Sequence, residues 1–185
     1  MAKFIIRNDD VAFDTDLNEF KWFCNLCDEY NYPIMQCVTP LGRCISPPGG
    51  LNVQSDRQIL LYGGPVTIFH NEPLMEYLLS RKDLIAVHGL WHTHKPDLVA
   101  INVSKRMLES VGLNPTYYVP PFNEGDYPEE IAGLKVSQLT DRLEDYHIMG
   151  SPTKPIAYLH SWRYGTHYPK QALEDTLKRL GSYQE

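Results

Sequence analysis

A rhythm governs what this chain can become. Short apolar runs of four to six residues recur along it, each closed by a polar or ionisable residue and each followed by a helical pattern. Phe4-Ile5-Ile6 runs into Arg7-Asn8-Asp9-Asp10, Pro33 to Val38 into Thr39-Pro40, and Leu84–Val87 into His88. "TYYVPPFN" ends at Asn123 and "PIAYLH" at His160. Continuous apolar runs are the signature of strands buried on both faces, and strands alternating with helices at this pitch make a parallel sheet covered by helices. The pattern repeats about seven times with no repeat in the sequence itself. A twisted open sheet and a closed barrel both satisfy it. Polar residues behind many strands, rather than one or two, favour the barrel, because barrel enzymes collect their chemistry at the carboxyl ends of the strands.

The helices are predicted from the same periodicity. Asp14, Thr15 or Asp16 caps a helix running to about Tyr30. Further helices are expected over 73–81, 96–111 with Gly112 as the stop, and 171–180. "ILLY" and "GGPVTIF" predict one or two strands near 59–69, ending at His70-Asn71. "EEIAGL" and "TDRLEDY" read as short helices around a strand near 135–138, and "YHIMG" as another short strand. The segment 41–57, with "SPPGG", is the longest loop and of the kind that often carries function.

Length and charge bound the answer. The 185 residues suit one domain, 1–185, with enough chain to bury a core unaided. A net charge of −6 argues against a nucleic-acid partner, which needs a basic face. No apolar run is long enough to span a bilayer, and the N-terminus lacks a signal-peptide core, so a cytoplasmic protein is expected. Cys24 and Cys27 have the CxxC spacing of a zinc or redox site. They also fall on the apolar face of a helical pattern with Leu17, Phe20 and Phe23, and the core reading is preferred.

The chemistry gathers at the strand tips. Asp9 and Asp10 are adjacent carboxylates whose repulsion favours a metal or a proton on one of them. "HGLWHTH" places His88 and His92 four residues apart. If the segment enters a helical turn, both imidazoles face one ion. With an aspartate they form a two-His, one-carboxylate set that leaves positions open, as in catalytic zinc sites; Zn2+ is expected, and Co2+, Ni2+ or Mn2+ also fit such donors. Gly89 suggests close backbone approach. His94 points to another face, with a surface or supporting role. His160, at the end of an apolar strand, is a candidate general acid if its tip shares the mouth with Asp10 and His88. Trp91, Tyr117, Tyr118, Phe122, Trp162 and Tyr164 are candidates for stacking on sugar rings, or for simply filling the core.

"IIRNDDV", "HGLWH", "VPPFN" and "IAYLHSW", in that order, resemble the polysaccharide deacetylases, the NodB-like carbohydrate esterases, in a divergent form with HGxxH. The resemblance runs from Phe4 to Trp162. It implies a deformed (β/α)7 barrel and a metal-dependent hydrolase that removes acetyl groups from an N-acetylated sugar or related amide, with a small molecule or oligosaccharide as substrate. It implies Asp9 as general base, Asp10, His88 and His92 as metal ligands, the Phe122 backbone N–H as an oxyanion donor and His160 as general acid. The chain departs from the pattern in three places. Val119 stands where the proline motif commonly begins with an arginine that orients the base, and Phe122 stands for the usual tyrosine. The aspartate–tryptophan motif that tunes the acid histidine has no clear match, with Asp141 and Asp145 as stand-ins. These departures keep two alternatives in play: hydrolysis of another small amide or imide, and a non-catalytic binding module that retains the metal site. Oligomeric state is left open.

Overall fold

The computed structural model describes residues 4–41, 67–138, 141–142 and 156–181. The described residues include eight strands. They are β1 (Ile5–Val11), β2 (Ile34–Val38), β3 (Leu84–Val87), β4 (Pro115–Tyr118), β5 (Glu130–Ile131), β6 (Leu134–Val136), β7 (Asp141–Arg142) and β8 (Ile156–Leu159). The α-helices among the described residues are α1 (Leu17–Glu29), α2 (Glu72–Ser80), α3 (Leu98–Ser110) and α4 (Lys170–Gly181). The predicted α/β alternation is therefore present. By internal packing the chain divides into two compact units, one comprising 1–9, 16–36 and 139–185, the other 10–15 and 37–138.

In the first unit, β1 pairs in parallel with β8, Ile5 opposite Ile156 through Asn8 opposite Leu159. β7 joins β8, also in parallel. Helix α1 starts at Asp16, whose carboxylate accepts from the backbone N–H groups of Asn18 and Glu19 and so satisfies two orphan donors of the first turn. Its apolar face buries Phe20, Phe23, Cys24, Leu26 and Cys27. Cys24 and Cys27 are buried, as the core reading expects. Helix α4 buries Leu173, Leu177 and Leu180 at four- and three-residue spacing, one face of a 3.6-residue period. The Tyr32 hydroxyl donates to the Leu177 carbonyl at 3.3 Å.

In the second unit, β3 pairs in parallel with β4 and β4 with β6. Asn71 caps α2 through the Leu74 N–H, and its side-chain amide donates to the carbonyls of Phe13 and Thr15, which fastens the loop after β1. Asp97 caps α3 through the Ala100 N–H.

Three expectations need correction. Residues 68–70 form a single 3-10 turn, not the end of a strand, closed by the Thr67 and His70 side chains. "EEIAGL" is not a helix: β5 and β6 are an antiparallel hairpin, with Ala132 and Gly133 at φ 54° and 70° in its two-residue loop. Two successive left-handed residues match the twist of the flanking strands, which outweighs alanine's helical preference. Asp141 and Arg142 lie in β7, not in a helix. The rest of "ILLY-GGPV", the "SPPGG" loop from 42 on, "YHIMG" and Asp145 fall outside the described residues.

Candidate metal centre and its surroundings

Each candidate ligand in the second unit is placed by backbone that has little freedom. His88 follows β3; its N–H donates to the Val38 carbonyl and its carbonyl accepts from the Thr39 hydroxyl at 3.1 Å. The chain then turns at Gly89, whose φ of +82° is open only to glycine at low cost. The Gly89 carbonyl is held by the buried Ser104 hydroxyl of α3. A series of bends, not a helical turn, carries the chain to His92. The expected i, i+4 convergence is real, but its cause is the glycine turn rather than helical periodicity.

Asp10 arrives by a different device. In a regular strand it would share a face with Asn8, whose amide donates to Gln36 at 3.0 Å beside Cys24 of α1. Asp10 instead has φ 66°, which breaks the alternation and re-aims its carboxylate. A left-handed aspartate costs on the order of 1–2 kcal/mol, less than a branched residue would. Such strain is stored where surrounding structure enforces it, and functional sites are its usual home.

The result is a cluster of Asp10, His88 and His92, all buried, with ligand atoms within 4.8 Å of one another. The Asp10 Oδ1 lies 3.4 Å from His88 Nε2 and 3.1 Å from His92 Nε2. Two arguments say that these residues fit a cation. First, His88 Nδ1 lies 2.8 Å from the Val119 carbonyl, which can only accept, so Nδ1 carries the proton. In the neutral ring, Nε2 then presents a lone pair toward a carboxylate oxygen, and the pair needs a positive centre between them. A backbone carbonyl behind a ligating imidazole is also the usual way of fixing its tautomer. Second, tetrahedral bonds of about 2.0–2.1 Å put ligand atoms about 3.3–3.4 Å apart, close to the spacings here. The set is open, with three protein ligands, so a bound ion would keep a position for water or substrate.

Phe122 belongs to the same unit. It is 40% exposed, with φ 59°, followed by Asn123 at φ 55°. Its ring meets His92 edge-on at 4.4 Å and stacks on His94 at 4.0 Å and 9° between planes. His94 is in turn bound to the Glu124 carboxylate at 2.8 Å, so it braces the rim rather than joining the cluster. Of the aromatic residues proposed for stacking, Tyr118 and Tyr164 are core, with 0% and 1% exposure. Burial pushes the Tyr118 phenol well above its ordinary range, with Tyr127 adding to the effect.

Asp9 and His160 belong to the first unit. Asp9 is buried and held by Arg7, whose Nε donates to Oδ1 at 2.8 Å and Nη2 to Oδ2 at 2.6 Å. His160 follows β8, flanked by Tyr158 at 6.0 Å and Trp162 at 5.7 Å, both edge-to-face. The next residue, Ser161, donates its N–H to the buried Asn8 Oδ1 at 3.0 Å, which ties the turn bearing His160 to β1. Asp141, suggested by the sequence for the tuning role, pairs with Ala157 through its backbone in β7. The contribution of Arg7 was readable and overlooked: a cation two residues before a strand-end aspartate shares its face.

No protein-family model and no curated protein matches the chain by sequence. Solved structures do match by shape. The peptidoglycan deacetylase PdaC of Bacillus subtilis aligns over 98% of this chain and 85% of its own, with a TM-score of 0.60 and 14% identity. The Bc1960 peptidoglycan N-acetylglucosamine deacetylase aligns over 98% and 81%, with a TM-score of 0.61 and 12% identity. The chain has the NodB-like polysaccharide deacetylase fold. A family 4 acetyl xylan esterase from Clostridium thermocellum, solved with a cobalt ion, gives 0.57 at 14% identity, over 95% of this chain and 82% of that one. Such identities carry the fold and not the reaction. No helix among the described residues is long and apolar enough to cross a membrane.

Proposed function

We propose that this NodB-like chain is a single catalytic domain, a metal-dependent hydrolase that removes acetyl groups from an N-acetylated sugar or related amide. The observation that carries the reading is the Asp10–His88–His92 cluster: three buried donors at 3.1 and 3.4 Å spacing, one of them with its tautomer set by a backbone carbonyl. Asp10, His88 and His92 would hold a divalent cation, with Zn2+ favoured and Co2+, Ni2+ or Mn2+ compatible. When bound, it supplies Lewis acidity toward an acyl oxygen and acidifies water.

The remaining work falls to the chain. Asp9, held by Arg7, takes a proton from the attacking water as the C–O bond forms. The Phe122 N–H donates to the oxygen that gains charge as the carbonyl becomes tetrahedral. His160 gives a proton to the departing nitrogen as the C–N bond breaks, so acetate and a free amine leave. The exposed Phe122 ring offers an apolar face at the rim against which a sugar can rest. Peptidoglycan and xylan esterase chemistry in proteins of the same fold supports an oligosaccharide substrate.

The test is acetate release from a panel of N-acetylglucosamine oligomers, O-acetylated sugars and simple amides. Asp9→Asn is expected to keep its metal and lose acetate release by a factor of about 10²–10⁴, the range typical of a general base. His88→Ala is expected to lose the metal as well. Full activity in Asp9→Asn would remove the base assignment.

A further inference from the structure

We infer that Arg7 is the positioning residue for the base, so that this chain orients Asp9 from within its own strand. The inference rests on the hydrolase reading above for what Asp9 does, and on geometry for what Arg7 does.

Arg7 is fully buried, and Asp9 is 4% exposed. They sit at i and i+2 of β1 and so project from one face. The contact is two-pronged: Nε to Oδ1 at 2.8 Å and Nη2 to Oδ2 at 2.6 Å. A fork of this kind makes the guanidinium and carboxylate planes coincide, which a single hydrogen bond or a lysine ammonium cannot do. Arg7 is itself braced. Its guanidinium carbon lies 4.9 Å from the ring centre of Tyr158, the residue opposite it on β8. The fork therefore fixes the rotation of the carboxylate.

A purely structural role explains this poorly. Desolvating an arginine and an aspartate together often gains nothing over well-packed apolar residues of the same volume. Yet the pair interrupts an otherwise apolar run, Phe4-Ile5-Ile6, immediately below the strand tip. The proline segment cannot supply the same fork, because Val119 begins it; the backbone there is committed to His88 instead.

The test compares Arg7→Lys and Arg7→Ala with the wild type. Readouts are zinc content, kcat and KM for acetate release from the most active substrate of the panel, and rescue by added guanidinium. Arg7→Lys keeps the charge, and it serves if Arg7→Ala fails to fold. The expected result is a kcat lowered about 10²-fold, as for a displaced catalytic group, with KM and zinc content near wild type. Guanidinium is expected to restore part of the loss in Arg7→Ala, and Arg7 substitution is expected to cost nothing further in an Asp9→Asn background. A fall in zinc content parallel to kcat, no rescue, or full activity in Arg7→Lys would overturn the inference. Should the wild type release no acetate from any substrate, the hydrolase reading fails separately. The crystal structure of Arg7→Lys then decides: an Asp9 carboxylate rotated from its wild-type rotamer supports the positioning role, and an unmoved one overturns it.

Discussion

Gly89→Ala should damage the metal centre without touching a ligand. Gly89 has φ +82°, and a Cβ built there would lie 2.6 Å from the Trp91 carbonyl oxygen and 3.1 Å from Pro121 Cγ. The Trp91 carbonyl cannot easily retreat, since it accepts the Thr93 N–H at 2.8 Å. The Gly89 carbonyl is held on its other side by Ser104 at 3.1 Å. Relieving the clash even to 3.0 Å requires 3.0 − 2.6, or about 0.4 Å, of backbone movement between His88 and His92, about twice the ±0.2 Å that metal–ligand distances tolerate. The left-handed φ costs about 1–2 kcal/mol and the overpacking about 1–3 kcal/mol more. At about 2–4 °C per kcal/mol for a chain of this size, the melting temperature should fall by roughly 4–20 °C. Zinc affinity, measured by calorimetric titration of metal-free protein, should weaken by about 10–100-fold, the scale seen when the support behind a ligand is disturbed. Gly112→Ala is the control. Its φ is +89°, but its Cβ would meet only Leu79 Cδ2 at an ordinary 3.5 Å. It should cost about 1–2 kcal/mol and leave zinc affinity alone. Equal zinc affinities in Gly89→Ala and the wild type would refute the view that this turn builds the site.

Zinc added to metal-free wild type should raise its melting temperature in proportion to the logarithm of concentration above Kd, and His88→Ala should abolish the rise; differential scanning calorimetry reads both. Alkaline stability follows from Tyr32, whose phenol is pushed up to about 12 by burial and the neighbouring Cys27. Its folded value lies above the unfolded value near 10, so its contribution is intact below pH 10 and is lost as pH rises toward 12. Denaturant midpoints should fall across that window, by up to about 1.4 kcal/mol per pH unit for this group, and Tyr32→Phe should flatten the curve. Cys24, Cys27 and Cys37 are fully buried. They should react with an aromatic disulfide reagent only on unfolding, and reductant should not shift the melting temperature; rapid labelling of Cys24 or Cys27 in the native protein would contradict the packing of α1.

What could be read from the chain, and what could not, divides along physical lines. Strand tips at Asp9-Asp10, His88 and His160 were legible because apolar runs and the polar residues that end them are local signals. The cap Asp16, one of three adjacent candidates, was legible for the same reason; the Asp97 cap was not read. The grouping of Asp10, His88 and His92 into one candidate site was also legible, but the route to it was not. Spacing of four suggested a helical turn, whereas the structure reaches the same convergence through Gly89 and a run of bends. The hairpin at Ala132-Gly133 failed for a related reason: its left-handed pair is enforced by the pairing of β5 with β6, a tertiary demand that alanine's own preference opposes. Asp10 is the deepest case. Strand periodicity puts it on the face of Asn8, and only the φ of 66° turns it toward the imidazoles. No residue next to it announces that reversal. A pair of adjacent aspartates can divide labour only if the strand's strict alternation is broken between them or after them, and here it breaks at the second. With Asp9 fastened to Arg7, Asp10 is the residue that takes the unfavourable backbone, one residue before Val11 accepts the Thr39 N–H at 2.9 Å.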